Sequence, residues 1–229
     1  MSRRKVKALR ELSYTALYEL QMALGALPRC APAFVFDPST REQVVRDYQR
    51  LRGLTVDGWP GTKTLFSLWQ DRKPCLAVDL ISRAKRWCEI GTTYALGKGG
   101  VSWFDDYPAQ EIDCSGFVAA CLLRSRAPQA DFPRWLATDS IHDDCSGDQR
   151  LFVELPRAKP GALVVYPDSR GRQGHVGIVT SIANGSLVGV DCSMSNDRKG
   201  DAVVERDLSF FLRNSETKFA YPRWFGEST

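Results

Sequence analysis

The 229-residue chain is poor in histidine, with two. It has no run near the roughly 18 apolar residues that a membrane-crossing helix needs. None of its 7 cysteines falls in a Cys-x-x-Cys pair, which removes zinc ribbons and thioredoxin-type redox sites. An odd number of cysteines cannot all pair within one chain. Their scatter over 30, 75, 88, 114, 121, 145 and 192 favours reduced thiols, several of them small core hydrophobes. There is no solenoid-period repeat and no low-complexity tract. The 43% hydrophobic and 25% charged residues exclude a disordered chain, a collagen and a coiled coil.

What is present divides unevenly. Residues 1–74 hold 13 Lys and Arg against 7 Asp and Glu, a net of +6. Residues 75–229 hold 18 against 20, a net of −2, so the overall +4 averages two different parts. A basic part suits an anionic polymer, nucleic acid or cell wall, though charge alone favours a plain solvated face. The opening Met-Ser-Arg-Arg-Lys runs into Arg10, Glu11 and Glu19 rather than an apolar core, so it does not read as a secretory signal. The expectation is a chain held in a reducing cytoplasm and released by other means.

The pattern predicts two domains, 1–73 and 74–229. In the first, Leu9, Leu12, Leu17, Leu20 and Leu24 share one face of a helix over 9–26. Ser39 or Thr40 caps a second over 41–52, and Thr62 or Thr64 opens a third carrying Leu65, Leu68 and Trp69. Asp71-Arg-Lys-Pro74 is the linker. In the second domain a helix spans 76–90, a glycine- and aromatic-rich loop 91–112, and another helix about 113–123. Residues 124–158 read as irregular, with short helices around 133–141. Strands follow at 163–166, 175–180, 187–191 and 202–205, with Asn184-Gly185 as a hairpin turn. Helices first and an antiparallel sheet afterwards make the class α+β.

Cys114 opens a helix in Asp113-Cys-Ser-Gly-Phe117. The positive end of the helix dipole and the unpaired amides of a first turn both favour a thiolate. His175 opens a buried strand, whereas His142 lies in the polar stretch Ser140-Ile-His-Asp-Asp144. A thiolate, a base and a third group orienting the base would complete a nucleophilic site. Parity limits the third group. A plain two-residue turn at 184–185 sets even positions of the returning strand opposite His175. A three-residue turn or a bulge sets odd ones there. Asp191, the one acid on that arm, is the candidate orienter, with Asn196 in reserve.

The second domain resembles the NlpC/P60 family of cell-wall cysteine peptidases. The matching pieces are Ile90-Gly-Thr-Thr-Tyr94 with glycines at 97, 99 and 100, Asp113-Cys-Ser-Gly-Phe-Val118, Lys159-Pro-Gly161 and Gly174-His-Val-Gly-Ile-Val179. The histidine follows the cysteine, unlike the permuted acyltransferase-type relatives. The resemblance implies a papain-like α+β fold with Cys114 as nucleophile and His175 as base. With longer hairpin arms here, it also implies Asp191 as the third residue. It places Tyr94 beside the nucleophile and assigns Asp113 and Ser115 to the free amine of a short stem peptide. It requires no metal or cofactor. Ala162 stands where many members have Asp, and 124–158 matches no family pattern.

The first domain resembles a three-helix peptidoglycan-binding domain, through Val45 to Leu65 and the string Gln49…Gly53-Leu54…Val56-Asp57-Gly58…Gly61…Lys63-Thr64. That resemblance implies wall contact around Asp57, Gly58, Trp59 and Gly61, where turn geometry alone also accounts for glycine. Together the two imply a modular peptidoglycan hydrolase, most often a D-γ-glutamyl–diaminopimelate endopeptidase. The implied setting is a phage endolysin waiting in the host cytoplasm and acting on a periplasmic wall, as a monomer with peptidoglycan as partner and neither nucleic acid nor membrane insertion. The alternatives are an N-acetylmuramoyl-L-alanine amidase, an injected antibacterial effector, a non-catalytic wall-binding protein, a zinc hydrolase and a nucleic-acid binder.

Overall fold

The structure, a computed structural model, describes residues 19–20, 23–24, 38–100, 111–169, 171–183 and 185–225. Most of the helix expected over 9–26, part of the 91–112 loop and Asn184 of the hairpin turn lie outside the described residues. The described residues divide into two compact units at Lys73/Pro74. No helix among the described residues is long and apolar enough to cross a membrane.

The first unit is built on α1 (Pro38–Leu51) and α2 (Thr62–Arg72). α1 begins on a proline, whose missing N–H costs nothing in a first turn. It ends before Gly53, which takes a left-handed φ of +61°. Val45 and Tyr48 of α1 meet Leu65 and Leu68 of α2, with Leu20 also in this core. The Tyr48 hydroxyl bonds Asp71 and sits 3.0 Å from Ser67 Oγ. Between the helices, buried Gln49 pins the 55–61 loop. Its Nε2 donates to Asp57 Oδ1 at 2.8 Å and Trp59 O at 3.0 Å, and its Oε1 accepts the Gly58 amide at 2.8 Å.

The second unit is α+β. Its helices are α3 (Ala77–Trp87), α4 (Cys114–Cys121), α5 (Thr138–Ser146) and α6 (Met194–Asp197). Two short strands, β1 (Thr93–Tyr94) and β2 (Glu111–Ile112), pair in parallel. The main sheet uses β3 (Phe152–Leu155), β4 (Leu163–Tyr166), β5 (His175–Ala183), β6 (Ser186–Cys192), β7 (Val203–Asp207) and β8 (Lys218–Pro222). Its order is β3-β8-β4-β5-β6-β7, antiparallel throughout. α4 is buried along its whole length and packs on β5 and β6. Phe117 at its centre is fully buried, a burial worth roughly 1.5–3 kcal/mol.

Several expectations shift. Residues 124–158 are not merely irregular. Ser140 Oγ accepts the Ala137 amide at 2.9 Å and starts α5 at 138, so this helix runs five residues past the short helices expected around 133–141. Phe152–Leu155 then forms β3, whose partner β8 lies far along the chain, so no local pattern announces either strand. α4 stops at Cys121 rather than near 123, because Leu123 takes a positive φ of 55°. The α2 start is set by backbone, Gly61 making no side-chain cap.

The β5–β6 hairpin settles the parity question by using two devices. The turn is the two-residue kind, Ala183 facing Ser186, with Gly185 at φ +80°. A bulge then follows between Val179 and Ser181, where Thr180 is skipped in the register with β6. Past the bulge Gly177 faces Asp191. The extra residue therefore returns Asp191 to the face of His175.

Candidate active site

Three elements converge. β5 presents His175 at its first residue, β6 presents Asp191, and the first turn of α4 presents Cys114. His175 Nε2 lies 2.7 Å from Asp191 Oδ2. Cys114 lies close enough to the same ring to help raise the pKa of His175. With Nε2 taken, Nδ1 is the ring nitrogen left for the sulfur. The ring stacks on Phe211 at 5.4 Å and 15°, which fixes its plane.

The charges are arranged in alternation. Burial alone would lower His175, but Asp191 and Cys114 outweigh it and raise it to about 9. Burial alone would raise Asp191, but Arg206 and His175 outweigh it and lower it to about 2. Arg206, on β7, grips Asp191 with both ends of its fork: Nε donates to Oδ1 at 2.7 Å and Nη2 to Oδ2 at 2.6 Å. Asn196 Nδ2 donates to Oδ1 at 3.1 Å. The reserve candidate thus supports Asp191 rather than replacing it.

α4 is capped by Asp113, whose Oδ1 accepts the Gly116 amide at 2.7 Å. Gly116 is required by close approach. A Cβ there would stand 2.1 Å from the Lys98 carbonyl oxygen and 3.0 Å from Gly99 Cα. The glycine-rich 97–100 loop therefore lies directly on the helix start, and it lines the cleft with Cys114. That cleft, of about 480 Å³, is also lined by Ser115, Arg126, Trp135, Asp168 and Arg172.

The remaining sequence candidates fall as follows. Tyr94 is half-buried near the cysteine; burial, then the negative charges of Cys114 and Asp113, push its phenol up to about 12. Its hydroxyl accepts from Gln173 Nε2 at 3.4 Å. Asp113 and Ser115 flank Cys114 but are engaged with Arg126. His142 sits on α5 with Nε2 3.0 Å from the Glu216 carbonyl and does not line the cleft. In the first unit Asp57, Gly58 and Trp59 belong to the loop held by Gln49, and a Cβ on Gly61 would meet the Trp59 ring at 2.6 Å.

Of the other described cysteines, Cys121, Cys145 and Cys192 are buried and none of the six described is disulfide-bonded. Burial first, then neighbouring acids and thiols, raises Cys192. Among the described residues no cluster of three or more His, Cys, Asp and Glu is placed to hold a metal ion.

Sequence reasoning missed Arg206 and Arg126. Neither lies in a motif, and each reaches its partner across strands or loops. Compared with protein-family models, curated proteins and solved structures, the chain matches none.

Proposed function

We propose that the chain is a peptidoglycan hydrolase of the NlpC/P60 type, with a papain-like catalytic domain behind a wall-binding one. The observation that carries this reading is the line from Cys114 through His175 to Asp191, set on a helix start and two strands beside an open cleft. A nucleophile at a helix start, a base in reach of it and an acid orienting that base are the parts that acyl transfer from an amide needs.

In this reading the Cys114 sulfur attacks the carbonyl carbon of a stem-peptide amide. A first-turn amide of α4, that of Cys114 or its neighbour, receives the developing oxyanion. The His175 imidazolium gives its proton to the leaving nitrogen. The C–N bond breaks, leaving a thioester on Cys114 and a free amine on the departing segment. Neutral His175 then takes a proton from water, whose oxygen attacks the thioester and frees a carboxylate. Asp191 holds the ring throughout, and Arg206 holds Asp191. The proposed bond is D-γ-glutamyl to diaminopimelate, and the proposed setting is a phage endolysin whose basic first unit retains the enzyme on an anionic wall.

Mass spectrometry of muropeptides released from purified sacculi tests this. The expected products carry a new diaminopimelate amine and a new glutamate γ-carboxylate, and they disappear with Cys114→Ala. Intact stem peptides freed from muramic acid would assign the amidase reaction instead. Undiminished digestion by Cys114→Ala would end the cysteine mechanism.

A further inference from the structure

A second cleft, of about 340 Å³, opens beside the first. Ser169, Arg172 and Gln173 line both, so the 169–173 segment is their common wall. The second cleft is also lined by Tyr166 and Phe210, whose rings flank His175 at centroid distances of 6.3 and 6.1 Å. The first cleft thus holds the nucleophile, and the second adjoins the base. In the reaction proposed above, the leaving nitrogen takes its proton from His175. The acyl part of the substrate therefore stays on the Cys114 side. The departing segment starts at His175 and runs toward the second cleft.

The lining of this cleft carries uncompensated charge. Neither the Arg172 nor the Arg213 guanidinium has an ion pair or hydrogen bond among the described residues. Glu216 is the one acid among the described lining residues, and its carboxylate has neither as well. The half-buried Tyr166 hydroxyl and the Asn214 side-chain nitrogen add neutral donors. Other charges nearby are engaged. Asp207, which feels Arg213, lies outside this lining and accepts the Ser209 amide at 2.7 Å. Arg206, over the Phe210 ring, is held by Asp191.

Two cations and one anion around one small cavity complement an ammonium and a carboxylate carried on the same carbon. A guanidinium fork suits the carboxylate, and Glu216 suits the ammonium. A lone ammonium would meet two like charges against one opposite, so the carboxylate decides the preference.

We infer that the second cleft is a subsite for the departing segment and takes the free amino-acid head at the far end of a diaminopimelate side chain. Arg172 and Arg213 hold its carboxylate, and Glu216 holds its ammonium. The inference rests on the hydrolase reading of the Cys114 site. It adds a means of rejecting lysine, whose side chain is as long and carries the ammonium without the carboxylate.

The test uses disaccharide tripeptides that differ in the third residue: meso-diaminopimelate, the same residue with its side-chain carboxylate amidated, or L-lysine. With the full chain, kcat/KM for release of that residue is expected to be at least about tenfold higher for the first than for either other, with most of the difference in KM. The double variant Arg172→Gln/Arg213→Gln changes two exposed positions. It is expected to bring the three substrates within about threefold, by weakening the first and leaving the lysine substrate near its wild-type rate. Equal cleavage of all three by the wild type overturns the inference and leaves the hydrolase reading standing. A double variant that keeps the wild-type ratio, or slows all three alike, overturns the assignment to the arginines. Should the double variant not fold, each single variant is read in the same way. Cys114-dependent digestion of sacculi without cleavage of the first substrate overturns the inference alone. Release of the whole tripeptide from muramic acid overturns the proposed bond and the inference with it. No Cys114-dependent cleavage of any of these overturns the hydrolase reading.

Discussion

At the residue scale the site is a row of alternating charges, and each member has a separate signature. His175 is raised to about 9, above the ordinary histidine value of about 6.5. Its ionisation therefore stabilises the fold fully below about pH 6.5, and that contribution is lost as pH rises through 9. Asp191 is lowered to about 2, so its contribution is present above about pH 4 and lost as pH falls through 2. The stability gap between wild type and Asp191→Asn is accordingly expected to be widest between about pH 4 and 6.5, measured by denaturant titration across pH. The same substitution should draw the alkaline limb of kcat/KM down from near 9 toward the ordinary histidine range. In the proposed reaction Arg206 bonds Asp191 rather than a reacting atom and is a positioning residue. Arg206→Gln is expected to lower kcat about tenfold or more with KM little changed, and Arg206→Lys to restore part of it, since one donor replaces a fork. A KM effect without a kcat effect would assign Arg206 to substrate contact instead. Cys114 and His175 were legible because each sits in a short motif at the start of a regular element. Arg206 was not, because Val-Glu-Arg-Asp carries no mark of what lies across the neighbouring strand. Arg126 was hidden in the one segment that matched no pattern.

At the element scale, local rules recovered α1, α2, α3, α4 and the core of β4, β5, β6 and β7. They failed where an element depends on a distant partner, as β3 does on β8. Asp191 is the intermediate case. Its candidacy was legible, but its face hinged on whether Thr180 bulged, and bulges leave no reliable trace in one sequence. Thr180 holds its place through Glu205, its hydroxyl donating to Oε1 at 2.6 Å. Deleting Thr180 removes the bulge but keeps every pair from Ala183/Ser186 to Gly177/Asp191, so Asp191 is expected to stay on the face of His175 and hydrolysis to survive. Loss of hydrolysis with secondary-structure content near wild type by circular dichroism would show that the bulge itself sets the geometry. Gly116→Ala tests the other element junction. The new Cβ meets the Lys98 carbonyl oxygen at 2.1 Å. The expected cost is roughly 1–3 kcal/mol, as for overpacking elsewhere. The 97–100 loop would lift, the Gly97 amide would leave Asp113, and activity would fall with it. Retained stability and activity would show that the loop yields freely.

At the scale of the whole molecule, the division at Lys73/Pro74 coincides with the change from a basic to a near-neutral sequence. If the first unit holds an anionic wall, full-length Cys114→Ala should be retained on purified sacculi, and added salt should release it. Retention on DNA at moderate salt, with none on sacculi, would point to a nucleic-acid partner. The strand order has a different consequence, one of timing. β8, residues 218–222, inserts between β3 and β4, whose residues are made well before it. Until those residues leave the ribosome, β3 has no partner on the sheet, and β4 presents an open edge for foreign strands. Such distant pairing lies on the slow side of folding. The histidine strand β5 is anchored on β4. The ladder from β4 to β7 that carries His175 and Asp191 can pair before β8 exists, so a nascent or shortened chain can hold these residues together and still be an aggregation hazard at its β4 edge.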